Sequence, residues 1–101
     1  MRSPADVYAE YCARGQLAYQ VDADGRAVFH PRVGPYEWRV SAGQGTVYAT
    51  TTVRPRGGEP YDVSLIDLDE GFRMMSRVRG GETKIGQRVS VVFEDGVPVF
   101  E

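Results

Sequence analysis

The densest set of side chains that could perform acid–base or metal chemistry is a run of carboxylates, Asp67, Asp69 and Glu70. Neighbouring carboxylates can hold a divalent cation, or act as a general acid and base. These three flank a tight turn at Gly71, and carboxylates at turns usually face solvent. The pattern therefore favours a solvated surface over a catalytic or metal-binding role.

The other reactive side chains stand alone. His30 is the only histidine and precedes Pro31, so we expect a solvent-facing loop imidazole. Cys12 is the only cysteine, which excludes an internal disulfide and indicates a reduced, partly buried thiol. Residues 22–25 open like a calcium loop, but Val33 stands where an EF-hand needs glutamate.

The sequence contains no Ser-His-Asp set, no phosphate-binding glycine loop followed by a helix, and no Cys/His cluster. We therefore predict no catalytic residue in this chain.

Charge limits the partners of the protein. The formal net charge of −2 over 101 residues argues against a protein that depends on nucleic-acid backbones. Positive charge is concentrated in residues 14–58, where arginine outnumbers the acids, and the only lysine is Lys84. Guanidinium groups form forked contacts with phosphate, so some of these arginines are candidate phosphate ligands. An arginine-rich codon usage is the alternative explanation.

A helix and a hairpin are predicted for the N-terminal third. Residues 3–6, Ser-Pro-Ala-Asp, are typical of a helix start, and Gly15 is typical of a helix end. A helix of barely three turns must dock, either on its own barrel or on a partner. Residues 16–21 and 26–29 predict two short strands around a turn. The apolar stripe of the helix consists of Val7, Tyr8, Tyr11 and Cys12.

The remaining chain predicts a mainly β structure. Five or six strands from Glu37 onward, with a long glycine-rich excursion at 79–87, fit a small closed OB-type barrel. Gly43 and Gly45 supply the positive φ or bulge that a curled strand needs at a barrel corner. We predict a helix and hairpin over 1–36 and a barrel over 37–101, forming one compact unit. The predicted barrel strands are 37–41, 46–53, 61–68, 72–78, 88–93 and 97–100.

Cellular location is predicted from two absences. No apolar run approaches the roughly 18 residues that span a bilayer, and the N-terminal residues lack the apolar core of a signal peptide. We therefore expect a cytoplasmic protein that does not enter membranes.

Five motifs follow one another along the chain: GQLAYQ at 15–20, FHPR at 29–32, SAGQGTVY at 41–48, IDLDEG at 66–71 and IGQRV at 85–89. Trp38 and Pro60-Tyr61 belong to the same ordered pattern. In this order the motifs resemble those of the DUF35 OB-fold family, acyl-CoA-associated companions of thiolase-like enzymes.

One departure from the family concerns its metal. Members of the family carry a zinc ribbon with two cysteine pairs bracketing the FHPR-like motif. Here the corresponding segments, residues 21–26 and 33–36, contain no cysteine. We therefore expect a degenerate ribbon-like hairpin without zinc.

The resemblance implies a non-catalytic accessory subunit. Such a subunit would pair with a thiolase-like or hydratase-like enzyme in a hetero-oligomer and help to bind or channel an acyl-CoA thioester. No covalently bound cofactor is implied, and the Tyr8/Tyr11 stripe is a candidate docking surface for the partner. Candidate coenzyme A ligands are Arg32, Arg54 and Arg56 for the phosphates and Phe29, Tyr48 and Tyr61 for the apolar walls.

The sequence leaves two alternative functions. A stand-alone OB domain could bind single-stranded nucleic acid by stacking bases on exposed aromatics, but the acidic second half of the chain opposes it. A small independent esterase would need a nucleophile and a base, and the sequence offers no such pair.

Overall fold

The computed structural model describes residues 3–101. Within them the chain forms one helix followed by eight strands. The helix is α1 (Pro4–Ala13), and the strands are β1 (Ala18–Val21), β2 (Ala27–Val28), β3 (Glu37–Val40), β4 (Gln44–Val53), β5 (Tyr61–Leu68), β6 (Arg73–Ser76), β7 (Arg88–Glu94) and β8 (Val97–Phe100).

Helix α1 begins and ends at the predicted signals. Asp6 N donates to Ser3 Oγ and Ser3 N donates to Asp6 Oδ2, both at 3.1 Å, which forms a reciprocal capping box. Arg14 is the C-terminal cap, and Gly15 follows with a φ of +73°. Both ends of this short helix are therefore capped by local chemistry.

The apolar stripe of α1 packs on the chain itself. Cys12 is only 4% exposed, and Tyr8 packs against the main hydrophobic core. The Tyr11 ring stacks on Trp38 with centroids 5.8 Å apart. The expectation that the Tyr8/Tyr11 stripe offers a docking surface is therefore wrong for Tyr8, because its ring is already used within the fold.

Strands β2, β1 and β3 form a small antiparallel sheet in that order. The β1–β2 turn follows the predicted chemistry, since Asp22 Oδ1 accepts hydrogen bonds from the backbone N–H groups of Asp24 and Arg26, both at 2.9 Å. Strand β3 was assigned to the barrel by sequence, but it pairs with β1 from Ala18↔Val40 to Val21↔Glu37. The alternation in β3 indicates a strand but cannot indicate its partner.

The other five strands form the barrel. Their order is β6-β5-β4-β7-β8, and every neighbouring pair is antiparallel. A parallel bridge between Val78 and Phe100 joins the two ends of the sheet. This arrangement confirms the predicted OB-type barrel, with the long excursion lying between β6 and β7.

At the start of β4 the backbone lies so close to neighbouring strands that two positions have no room for a side chain. Gly43 has a φ of +76°, and a side chain there would meet Val91. Gly45 packs so closely on β5 that a Cβ would lie 2.8 Å from the carbonyl oxygen of Asp67. A register shift between Val47 and Ala49 adds a bulge. The glycine prediction is confirmed by the positive φ of Gly43, but Gly45 has neither a positive φ nor the bulge and is needed because of its close packing on β5.

One hydrophobic core connects the small sheet to the barrel. Leu17 and Val21 from the N-terminal part share it with Val47, Ile66 and Phe100 from the barrel. Each of these five side chains is at most 3% exposed. Among the described residues, no helix is long and apolar enough to cross a membrane.

Candidate functional site

Two carboxylates of the Asp67–Glu70 turn form ion pairs on the barrel surface. Arg73 donates from Nε to Asp67 Oδ1 at 2.6 Å and from Nη2 to Oδ2 at 3.2 Å. Arg88 donates to both oxygens of Asp69 at 2.8 Å. The Arg88 guanidinium holds the pKa of the Asp69 carboxyl below its usual range. Each carboxylate is thus paired with one arginine.

The third carboxylate, Glu70, joins the turn to the start of the barrel. Its Oε1 accepts from Ser41 Oγ at 2.7 Å, and its Oε2 accepts from the Ala42 N–H at 2.9 Å. Ser41 Oγ in turn accepts from the Gly43 N–H at 2.9 Å. Among residues 3–101, no three side chains of the metal-ligating types are grouped to hold an ion. The turn is built as a structural junction.

Cys12 and His30 are the side chains that could act as nucleophile and base. Cys12 is buried, and its burial raises the pKa of the thiol. His30 is exposed, and within the described part of the chain its contact is a tilted ring contact with Phe29, with no hydrogen bond. Since no hydrogen bond joins His30 to Cys12 within residues 3–101, the two do not form an activated nucleophile.

Phe29, a predicted wall of the acyl-CoA site, lies in an aromatic stack. Its ring lies nearly parallel to that of Phe72, with an interplanar angle of 9° and centroids 5.0 Å apart, and Tyr8 meets it edge-on at 5.7 Å. Phe72 also stacks on Tyr19 at 4.8 Å. This stack joins helix, small sheet and barrel, so Phe29 is placed in a structural role.

Arg32 lies beside a cavity of about 420 Å³, here called the apolar cavity. The start of α1 and the segment 32–34 line it, together with Tyr36 and Trp38. The Gln20 side chain, only 2% exposed, holds this segment by donating to the Arg32 carbonyl at 2.9 Å and accepting from the Arg32 N–H at 2.8 Å.

Tyr48 lies on the outer surface of β4. It is 52% exposed, and the Arg73 guanidinium carbon lies 3.5 Å from the centroid of its ring. Because Arg73 also pairs with Asp67, one face of the Tyr48 ring is covered by a cation held in place.

Tyr61 lies on a second depression of about 760 Å³, here called the polar groove. It is lined by 50–52 of β4, 60–62 at the start of β5, the segment 77–83 and Glu94. Arg54 and Arg56 are exposed on the loop between β4 and β5, the strands that supply part of this lining. The structure thus places the six predicted ligands in several regions, with Arg32 and Tyr61 in different cavities.

Residues of the polar groove were missed by the sequence interpretation. Arg77 and Arg79 flank the buried Val78 and precede the Gly80-Gly81 pair. The signal in the sequence was RVRGG, two arginines on one side of an extended segment next to flexible backbone. The sequence assigns Arg77 and Val78 to the end of a predicted strand and Arg79 to the following connection, and only the fold brings both arginines next to β4 and β5.

The barrel topology defines an OB-fold protein. A family model described as "ChsH2, C-terminal OB-fold domain" matches residues 38–94, more than half of the chain. The chain therefore belongs to this DUF35 OB-fold family, and the resemblance found in the sequence is confirmed.

The solved structures include a similar fold. A chain of the "Ltp2-ChsH2(DUF35) aldolase" superposes with a TM-score of 0.80 at 22% identity. The match covers 99% of this chain and 94% of that one. A comparison with curated proteins found no match.

Proposed function

We propose that this protein is an accessory subunit that pairs with a thiolase-like, aldolase-like or hydratase-like enzyme acting on an acyl-CoA thioester. The observation that carries the proposal is the nearly full-length similarity to a DUF35 chain of an aldolase, together with membership of the same family. The buried Cys12 thiol, whose pKa is raised by burial, supports a role in which the partner supplies the catalytic residues.

The outer surface of β5 and β6 is the face that we assign to the partner. Met75 is 68% exposed and lies opposite the half-buried Leu65. The exposed Tyr48 lies on the neighbouring strand β4, where it contacts Arg73 of β6. Exposed apolar side chains gathered on one face are typical of protein interfaces, where methionine and tyrosine are enriched.

Co-purification tests the accessory role. We expect the tagged chain to recover a thiolase-like, aldolase-like or hydratase-like subunit from its native lysate in near-equal amounts, identified by mass spectrometry. Met75→Glu should abolish this recovery, whereas the matched variant Met75→Leu should preserve it. Recovery of nucleic acid alone would contradict the proposal. Equal recovery with Met75→Glu would leave the accessory role standing and move the interface elsewhere.

Acyl-CoA binding is tested on the resulting complex. Arg54 and Arg56 are exposed and form no ion pair with the described residues, so their guanidiniums are available for phosphate. We expect Arg54→Gln with Arg56→Gln to weaken acyl-CoA binding by about tenfold in isothermal titration calorimetry. Arg26→Gln replaces an exposed arginine in the turn between β1 and β2; it is the control and should leave the affinity unchanged.

A further inference from the structure

The polar groove carries groups that match a nucleotide, and we propose that it binds a nucleoside diphosphate. This inference goes beyond the accessory function, because it concerns the isolated chain and rests on side chains outside the predicted acyl-CoA ligands, apart from Tyr61. The volume of about 760 Å³ lies within the range of small-molecule sites.

Arg77 and Arg79 are the phosphate ligands in this proposal. The Val78 side chain between them is buried at 4% exposure, so in extended backbone the two arginines project to the opposite, outer side. Two residues of extended chain span about 6.6 Å, which lets both guanidiniums reach one diphosphate. Among residues 3–101 neither guanidinium lies within ion-pair distance of a carboxylate.

The backbone that carries the two arginines is anchored on both sides. Phe100 N donates to the Arg77 carbonyl at 2.8 Å, and Arg79 N donates to the Phe100 carbonyl at 2.7 Å. Val78 N donates to Asp62 Oδ2 at 3.0 Å. Because the segment is already ordered, binding would not require it to lose much conformational freedom.

The remaining lining suits a ribose and a base. Tyr61 is 42% exposed and offers a ring on which a base can stack. Carboxylates commonly accept hydrogen bonds from ribose hydroxyls. Glu82 and Glu94 lie in the lining and could serve this purpose. The carboxylate of Asp62, also in the lining, already accepts a hydrogen bond from the Val78 N–H.

One residue of the groove lining carries a hydroxyl without a partner. Thr83 Oγ1 is buried and has no hydrogen-bond partner among the described residues. Buried polar groups are normally paired, so a rotation of the Thr83 side chain toward the groove would let a ligand oxygen satisfy this group.

Calorimetric titration of the isolated chain with ADP tests the proposal. We expect saturable binding that is weakened at least about tenfold by Arg77→Gln with Arg79→Gln. Thr83→Val keeps the shape of the side chain and should weaken binding by about threefold to tenfold without lowering the melting temperature. Arg26→Gln should bind like the unmodified protein. The absence of ADP binding at millimolar concentration, or equal binding by the double arginine variant, would overturn the proposal.

Two further titrations define the ligand. Pyrophosphate should bind more weakly than ADP, and equal affinity would overturn the nucleoside part. Competition between ADP and coenzyme A would identify the nucleotide end of a coenzyme A thioester as the source, whereas ADP binding without competition would identify a free nucleotide; both outcomes support the site. These titrations need no partner enzyme, so their failure would leave the proposed accessory function untouched.

Discussion

At the scale of single residues, Gln20 has the most distinctive role. Its buried amide makes two hydrogen bonds to the backbone of Arg32, twelve residues away, and so ties β1 to the loop that follows β2. The motif that contains Gln20 was recognised in the sequence, but the partner of the side chain was not. An amide can both donate and accept, which lets one side chain satisfy both backbone groups of Arg32.

Replacement of Gln20 should loosen this loop. We expect Gln20→Met to lower the free energy of unfolding by about 2 kcal/mol, because two hydrogen bonds worth about 1 kcal/mol each are lost. Urea denaturation measures the change. Gln16→Met is the control, since Gln16 is exposed and should give a midpoint close to that of the unmodified protein. Equal urea midpoints for Gln20→Met and Gln16→Met would contradict a stabilising role for the Gln20 hydrogen bonds.

A second prediction at this scale concerns alkaline pH. Burial, with smaller contributions from neighbouring Cys12, raises the pKa of Tyr8 well above its usual value. The unfolded chain ionises tyrosine near pH 10 and the folded chain does not. Stability from this group is therefore complete below pH 10 and is lost as the pH rises toward the folded pKa.

Tyr8→Phe should remove that part of the pH dependence. We expect denaturation midpoints between pH 8 and 11.5 to fall less steeply for the variant above pH 10. A loss of folding stability that begins near pH 8.5 should persist in both proteins, because burial also raises the pKa of the Cys12 thiol. Parallel curves above pH 10 would show that Tyr8 ionises as easily in the folded state as in the unfolded one.

At the scale of elements, the entry to β4 depends on glycine. Gly43 combines a φ of +76° with close contact to Val91, and Gly57 in the β4–β5 loop has a similar φ of +71° in open space. Alanine substitutions at these two glycines distinguish the cost of backbone strain from that of a steric clash, because only at Gly43 would the added methyl group meet a neighbouring side chain.

Alanine at these two positions should therefore differ in cost. Gly57→Ala should destabilise the fold by about 1 kcal/mol, the cost of a left-handed conformation for a residue with a side chain. Gly43→Ala should cost about 3 kcal/mol, because overpacking against Val91 adds to that strain. Chemical denaturation compares the two variants. Similar costs would mean that β7 moves away from β4 without penalty.

At the scale of the whole molecule, the helix and small sheet are joined to the barrel by the stack of Tyr8, Phe29, Phe72 and Tyr19. The resemblance to the family implies a cysteine-bound zinc in the corresponding hairpin of other members. In this chain the hairpin is held by the Asp22 turn, by the hydrogen bonds between the Gln20 side chain and the Arg32 backbone, and by the aromatic stack. Packing and hydrogen bonding therefore account for its order.

We expect the purified protein to contain no stoichiometric zinc and to keep its melting temperature in EDTA. Domains that depend on a structural zinc lose stability when the metal is chelated, since metal binding is part of their folding free energy. Elemental analysis together with a thermal melt checks both statements. About one zinc per chain would contradict the metal-free interpretation of the hairpin.

Local residue patterns were sufficient for much of the fold. The capping box at Ser3, the turn at Asp22 and the strands over 61–68 and 97–100 all follow from preferences that act within a few residues. The number of predicted strands and the long excursion before β7 were enough to indicate an OB-type barrel.

Contacts between distant residues were decided only in the folded chain. Strand β3 could have paired with β1 or with the barrel, because alternation identifies a strand and not its neighbour. The rings of Phe29 and Tyr8 pack inside the fold, in one stack with Phe72. Arg77 and Arg79 line the same groove as Tyr61. These placements depend on packing and hydrogen bonding across the sheets, which join residues far apart in sequence and leave little trace in the residues on either side.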